Sequence, residues 1–230
     1  MIRTIFVLLS LLCLSCSSDS IISSEKTLFY NIYKDVIKTR PAPSPSKDIN
    51  EKTLYDKAWL SKFNHPIILL SSLDGKNTAT LVALGNYKDK LTWVSADGIS
   101  VSFLNGILIA TRGYSEDLME SQQNDLNTLF SKNTKKRIKK YRYLNGENQY
   151  RELTFTCSVV EKTNTPSFFL DMRLETTKFT ETCKAGIISH NNEYYVLSNT
   201  SIVLKSKQWI SETNGSINIY NYYAFQNNLF

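Results

Sequence analysis

Leu91-Thr92-Trp93-Val94-Ser95-Ala96-Asp97-Gly98-Ile99-Ser100-Val101-Ser102-Phe103-Leu104-Asn105-Gly106-Ile107-Leu108-Ile109 is the stretch that decides the fold. Leu91, Trp93 and Ser95 alternate with Thr92 and Val94, and Ile99, Val101 and Phe103 alternate with Ser100 and Ser102. A period of two sends successive side chains to opposite faces of a strand, so each run reads as a strand with one apolar face. Asp97-Gly98 and Asn105-Gly106 interrupt the runs with residues that tolerate positive φ, as a two-residue hairpin turn requires. Ile107 and Ile109 continue after the second turn, and the whole predicts a three-stranded antiparallel meander.

The same habit extends outward. Asp74-Gly75, Asn145-Gly146 and Asn214-Gly215 repeat the turn signal, so five of the eight glycines follow Asp or Asn and mark successive hairpins. From Pro66 onward the texture is β, and strand-like runs recur at Leu153 to Val159, Phe168 to Leu174, Tyr194 to Leu197, Ile202 to Leu204, and Ile217 to Ile219. Between the halves, Ser115 to Ser131 sets Leu118, Gln122, Leu126, Leu129 and Phe130 roughly on one side, which predicts a connecting helix with Glu116 and Asp117 in its first turn. Nearer the start, Leu28, Phe29, Ile32, Val36 and Ile37 fall at helical spacing over Ser24 to Lys38, and a second short helical stretch is expected around Glu51 to Leu60. Arg40-Pro41-Ala42-Pro43-Ser44-Pro45-Ser46 between them is an extended linker. The fold class is therefore mainly β, an antiparallel β-sandwich or flattened barrel built of hairpins, with an N-terminal helix and a connecting helix. Residues 61–230 form the β-rich domain, as one body or as two halves joined near residues 115–140.

Composition limits function. The 230 residues are 42% hydrophobic and 21% charged, enough to bury a core, and eight Gly with five Pro exclude collagen-like or low-complexity designs. Four Cys and two His show no paired metal-ligand spacing, so no metal or cofactor is expected. There is no Gly-rich phosphate loop, and neither His65 nor His190, in the turn-like Ser189-His190-Asn191-Asn192, has a nucleophile or carboxylate at telling spacing. No catalytic residues are expected, with Asp97 read as the first residue of a hairpin turn.

Met1 to Thr4 carries one positive charge and Ile5 to Leu14 is uncharged and mostly apolar, too short for the roughly 20 residues that span a bilayer. This is the profile of a signal peptide, residues 1–15. Small Ser15 before Cys16 is similar to a bacterial lipoprotein cleavage site, which implies lipid attachment at Cys16, anchored residues 16–60, and an outer-membrane location facing the periplasm. An ordinary secretory signal or a buried apolar helix are the alternatives. Acyl chains at about 0.8 kcal/mol per buried methylene make such an anchor effectively permanent. In an oxidising compartment Cys157 and Cys183 are each other's obvious partners; two inert buried thiols are the alternative.

The formal charge of +6 has its densest expression in Lys132, Lys135, Lys136, Arg137, Lys139, Lys140 and Arg142, with Tyr141 and Tyr143 interleaved. Such a patch suits a polyanion, and at a periplasmic lipoprotein an acidic polysaccharide or lipid headgroup fits better than a nucleic acid. The alternative is the solvated end of the connecting helix.

Trp93-Val94-Ser95-Ala96-Asp97-Gly98, Asn105-Gly106 and Thr111-Arg112-Gly113-Tyr114-Ser115-Glu116-Asp117-Leu118, followed late by Ser206-Lys207-Gln208-Trp209, resemble the signature of the YjbF/GfcB lipoproteins, the group 4 capsule polysaccharide lipoprotein family. The resemblance implies an outer-membrane-anchored accessory to capsule or exopolysaccharide production or export, with polysaccharide or export proteins as partners. A periplasmic carbohydrate-modifying enzyme, which needs two buried carboxyls within about 10 Å, and a lipid carrier with an empty apolar cavity are the competing classes.

Overall fold

A computed structural model describes residues 60–61, 63–87, 90–123, 129–130, 136–144, 149–170 and 172–226. The signal peptide, Cys16, the helix over Ser24 to Lys38, the proline linker, most of Glu51 to Leu60, Lys132 and Lys135 lie outside them. Twelve strands follow in chain order: β1 Ile67–Ser72, β2 Thr78–Tyr87, β3 Lys90–Ser95, β4 Ser100–Leu104, β5 Ile107–Arg112 and β6 Leu118–Gln123; then β7 Arg137–Leu144, β8 Tyr150–Phe169, β9 Met172–Ala185, β10 Ile188–Leu197, β11 Val203–Ser211 and β12 Gly215–Tyr220. A one-turn helix, α1 (Tyr223–Gln226), comes next.

All strand pairings are antiparallel, and the sheet order is β5-β4-β3-β2-β1-β12-β11-β10-β9-β8-β7-β6. The two sequence halves are thus one sheet, joined where β1 pairs with β12 through Leu69↔Tyr220 and Leu70↔Ile219. The terminal strands β5 and β6 are also close neighbours, so the sheet curls into a nearly closed barrel with a single seam. Its interior holds Ile68, Leu70, Trp93, Val101, Phe103, Phe155, Trp209, Ile217 and Ile219, drawn from strands all around the sheet.

The hairpin chemistry is that of the sequence. Asn105 and Gly106 both take positive φ, 52° and 79°, between β4 and β5, and Gly75, Gly98 and Gly215 sit at positive φ in the β1–β2, β3–β4 and β11–β12 turns. Three expectations are corrected. The connecting helix is replaced over Leu118–Gln123 by strand β6, whose register shift between Leu118 and Glu120 buries Leu118 and Ser121 three residues apart and so imitates a helical period. The run Phe168 to Leu174 is a hairpin end: the chain reverses at Leu170, φ 49°, whose buried side chain offsets the cost of that backbone state. Ser189 to Asn192 is the middle of β10 and no turn.

Candidate functional site

Strand alternation dismantles the basic patch. Arg137, Lys139, Tyr141 and Tyr143 of β7 point into the barrel, while Lys140 and Arg142 face out beside Lys136. Lys139 is fully buried and Arg137 nearly so. Both donate to the buried Glu181 of β9, Lys139 Nζ at 2.7 Å and Arg137 through Nη2. Asn192 Nδ2 of β10 adds a third donor at 3.0 Å, and Asn192 Oδ1 accepts from Trp209 N at 2.9 Å. Outside, Arg142 bonds Glu152 (2.9 Å) and Glu120 (3.2 Å), and Lys140 lies 3.5 Å from Glu152. Arg137, Lys139, Lys140 and Arg142 are thus engaged in pairs across strands, while Lys132 and Lys135 lie outside the described residues. Alternation itself carried the missed signal: Glu181 stands two residues from Cys183 and therefore shares its inward face.

Directly beside this centre a disulfide joins Cys157 and Cys183, which face each other across β8 and β9 with Cα atoms 4.0 Å apart. His190 stacks flat on Trp209, ring centroids 4.2 Å apart. Burial, with the Lys139 charge adding to it, holds the imidazole down to about 3, and burial likewise holds Lys139 well below the usual ammonium range with Arg137 reinforcing it. Glu181 is the one buried carboxylate among the described residues, and it is already bound by two cations. Near the seam, half-buried Glu116 and exposed Glu212 are both tied to Arg151, at 2.7 and 3.2 Å. No pair of buried acids therefore exists among the described residues for glycosidic chemistry.

The signature residues have another use: they build the seam. Ser95 Oγ accepts from Ile99 N at 3.0 Å and donates to Asp97, fixing the β3–β4 turn. Asp117 closes the β5–β6 connection by accepting from Gly113 N, Tyr114 N and Thr111 Oγ1 at 3.0 to 3.1 Å. Gly113, φ 92°, lies against Ile99, where a Cβ would come within 3.2 Å of the Ile99 backbone, so the two turns interlock. Tyr114 packs there with its hydroxyl pushed up to about 12, by burial first and then by the Asp117 and Asp97 charges. Across the seam Leu118 N donates to Thr111 Oγ1 (2.9 Å) and Arg112 Nη1 to Leu118 O (3.2 Å). From β11, buried Gln208 reaches to β5: its Oε1 accepts from Leu108 N and its Nε2 donates to Gly106 O, each at 2.8 Å. A Cβ on Gly106 would fall 2.7 Å from Val203 Cγ2, so only glycine allows β5 to approach β11 this closely.

A cleft of about 370 Å³, open on one side, lies between the β3–β4–β5 hairpins, the start of β11 and α1. Ile68, Leu91, Trp93, Phe103 and Ile219 make its floor.

The family model of the Group 4 capsule polysaccharide lipoprotein gfcB, YjbF, matches residues 30–220. The chain belongs to this family. The YjbF family is thus the source of the lipoprotein character and the capsule association that the sequence suggested. Among solved structures, the crystal structure of the hypothetical lipoprotein YmcC from Escherichia coli (K12) is similar over 89% of this chain and 96% of that one, with a TM-score of 0.61 at 14% identity. That likeness shows a shared fold. No curated protein matches the chain.

Proposed function

We propose that this YjbF-family chain is a non-catalytic accessory in capsule or exopolysaccharide production or export, held by acyl chains on Cys16 at the outer membrane and facing the periplasm. The observation that carries the reading is the employment of the signature: Ser95, Asp97, Thr111, Gly113 and Asp117 are committed to the turns beside the barrel seam, and Gln208 to a clamp between β11 and β5. A family motif devoted to holding a shape points to presentation or binding. Removing the gene should lower surface polysaccharide, the wild-type copy should restore it, and Cys16→Ser should not, with the intact mass of the mature protein showing acyl chains only for the wild type. Unchanged surface polysaccharide in the deletion strain would overturn the accessory role, and a mature wild-type mass without acyl chains would overturn the anchor.

A further inference from the structure

We infer that the cleft at the mouth of the barrel binds a neutral sugar residue of a polysaccharide chain, seated on the Trp93–Tyr223 wall beneath the amides of Asn86 and Asn105. The inference deepens the accessory reading and rests on it for the choice of polysaccharide. About 370 Å³ lies within the 300 to 1,000 Å³ typical of small-molecule sites. A hexose ring has an apolar C–H face and a rim of hydroxyls, and the cleft has the matching division. Its floor is aliphatic and aromatic, with the Trp93 and Tyr223 rings edge to face at 5.7 Å. At its rim stand Asn86, Asn105 and Ser201, all exposed; no protein hydrogen bond engages the Asn86 or Asn105 amide among the described residues. Each amide offers both donors and an acceptor, the pairing that a hydroxyl needs.

The placement of the rim is built into the strands. The register shift between Ala83 and Gly85 in β2 brings Asn86 opposite Leu91, and both line the cleft. Asn105 is held at positive φ by a turn that Gly106 presses against Val203, another wall residue.

Two features select the ligand class. Among the described residues that line the cleft Lys205 is the only charged one, and its ammonium lies over the rings of Tyr195 and Tyr220, at 5.2 and 5.8 Å, neither of which lines the space. The described lining therefore presents no charge to a ligand, which favours a neutral sugar over an acidic one. Its open side lets a chain enter and leave through the middle of a long polymer, whereas an acyl chain gains most from a closed apolar tube and leaves the rim amides unused.

The probe is a pool of short oligosaccharides released by mild acid from the surface polysaccharide of the cell that encodes this protein. Saturation-transfer NMR with the full mature protein should show transfer to sugar ring C–H protons. Asn86→Leu should weaken binding roughly fivefold, the value of one lost hydrogen bond, and Ser201→Trp, which fills the mouth from an exposed position, should abolish transfer, both with an unchanged thermal transition. Absence of transfer in the wild type, or equal transfer in Ser201→Trp, would overturn the inference. So would binding of sodium dodecanoate that Ser201→Trp abolishes while the sugars show none, which would assign the cleft to acyl chains. A deletion strain that loses surface polysaccharide while the protein shows no sugar transfer would leave the accessory role standing and remove only this site; sugar transfer with polysaccharide intact in the deletion strain would do the reverse.

Discussion

His190 shows how a single buried ring ties stability to pH. Its imidazole is held at about 3 in the folded protein against an ordinary value of 6.5, first by burial and then by Lys139. Between those values the unfolded chain binds a proton that the folded one does not, so stability falls as pH drops through 6.5 and continues falling toward 3. At pH 4.5 the loss from this group reaches about 2 to 3 kcal/mol. His190→Phe, which keeps a ring on Trp209, should leave the thermal midpoint near pH 7 within a few degrees and flatten its decline between pH 6.5 and 4.5. An equally steep decline in the variant would refute the assignment. The burial of His190 was not legible in the sequence, because Asn191 and Asn192 imitate a turn. In β10 those residues separate by face, Asn191 outward onto Thr182 and Asn192 inward onto Glu181.

At the scale of elements, Glu181 binds three strands together, since its carboxylate in β9 receives Arg137 and Lys139 from β7 and Asn192 from β10. Removing it strands two cations in a dry interior, whereas removing Lys139 leaves an Arg–Glu pair that is already neutral. Glu181→Gln should therefore cost about 3 to 5 kcal/mol in urea unfolding, and Lys139→Met should be close to neutral. Equal losses in the two variants would contradict this asymmetry. The hairpins were legible because a two-residue turn leaves an Asx-Gly mark in the chain, and the Cys157–Cys183 partnership because these are the only two cysteines beyond the N-terminal stretch. Strand β6 was hidden by its bulge, which spaces Leu118 and Ser121 as a helix would. Strand β7 was hidden because its inward face carries charge and its outward face carries Ile138 and Leu144, the inverse of the usual pattern.

For the whole molecule the decisive contact is the one that ties β11 to β5 without a strand ladder. Gln208→Leu keeps the volume but leaves Leu108 N and Gly106 O without their partners, so it should lower unfolding free energy by about 2 to 3 kcal/mol. Hydrogen exchange should locate the damage, with Leu108 N losing protection first while the β8–β9 amides keep theirs. Uniform loss of protection across the sheet would show that Gln208 is ordinary core rather than a clamp between β11 and β5. The Gln208 clamp was invisible to the sequence because it joins residues a hundred positions apart.

The pairing of β1 with β12 has a consequence for biogenesis. The first strand of the sheet waits for the last, across some 150 residues of intervening chain. As the polypeptide is delivered in order from its N-terminus, β1 and β2 complete their hairpin early and then hold an unpaired apolar edge until Gly215–Tyr220 arrives. A chain tethered by its N-terminus would spend that interval beside the bilayer with this edge exposed, so its late synthesis is the stage at which an escorting chaperone is most needed.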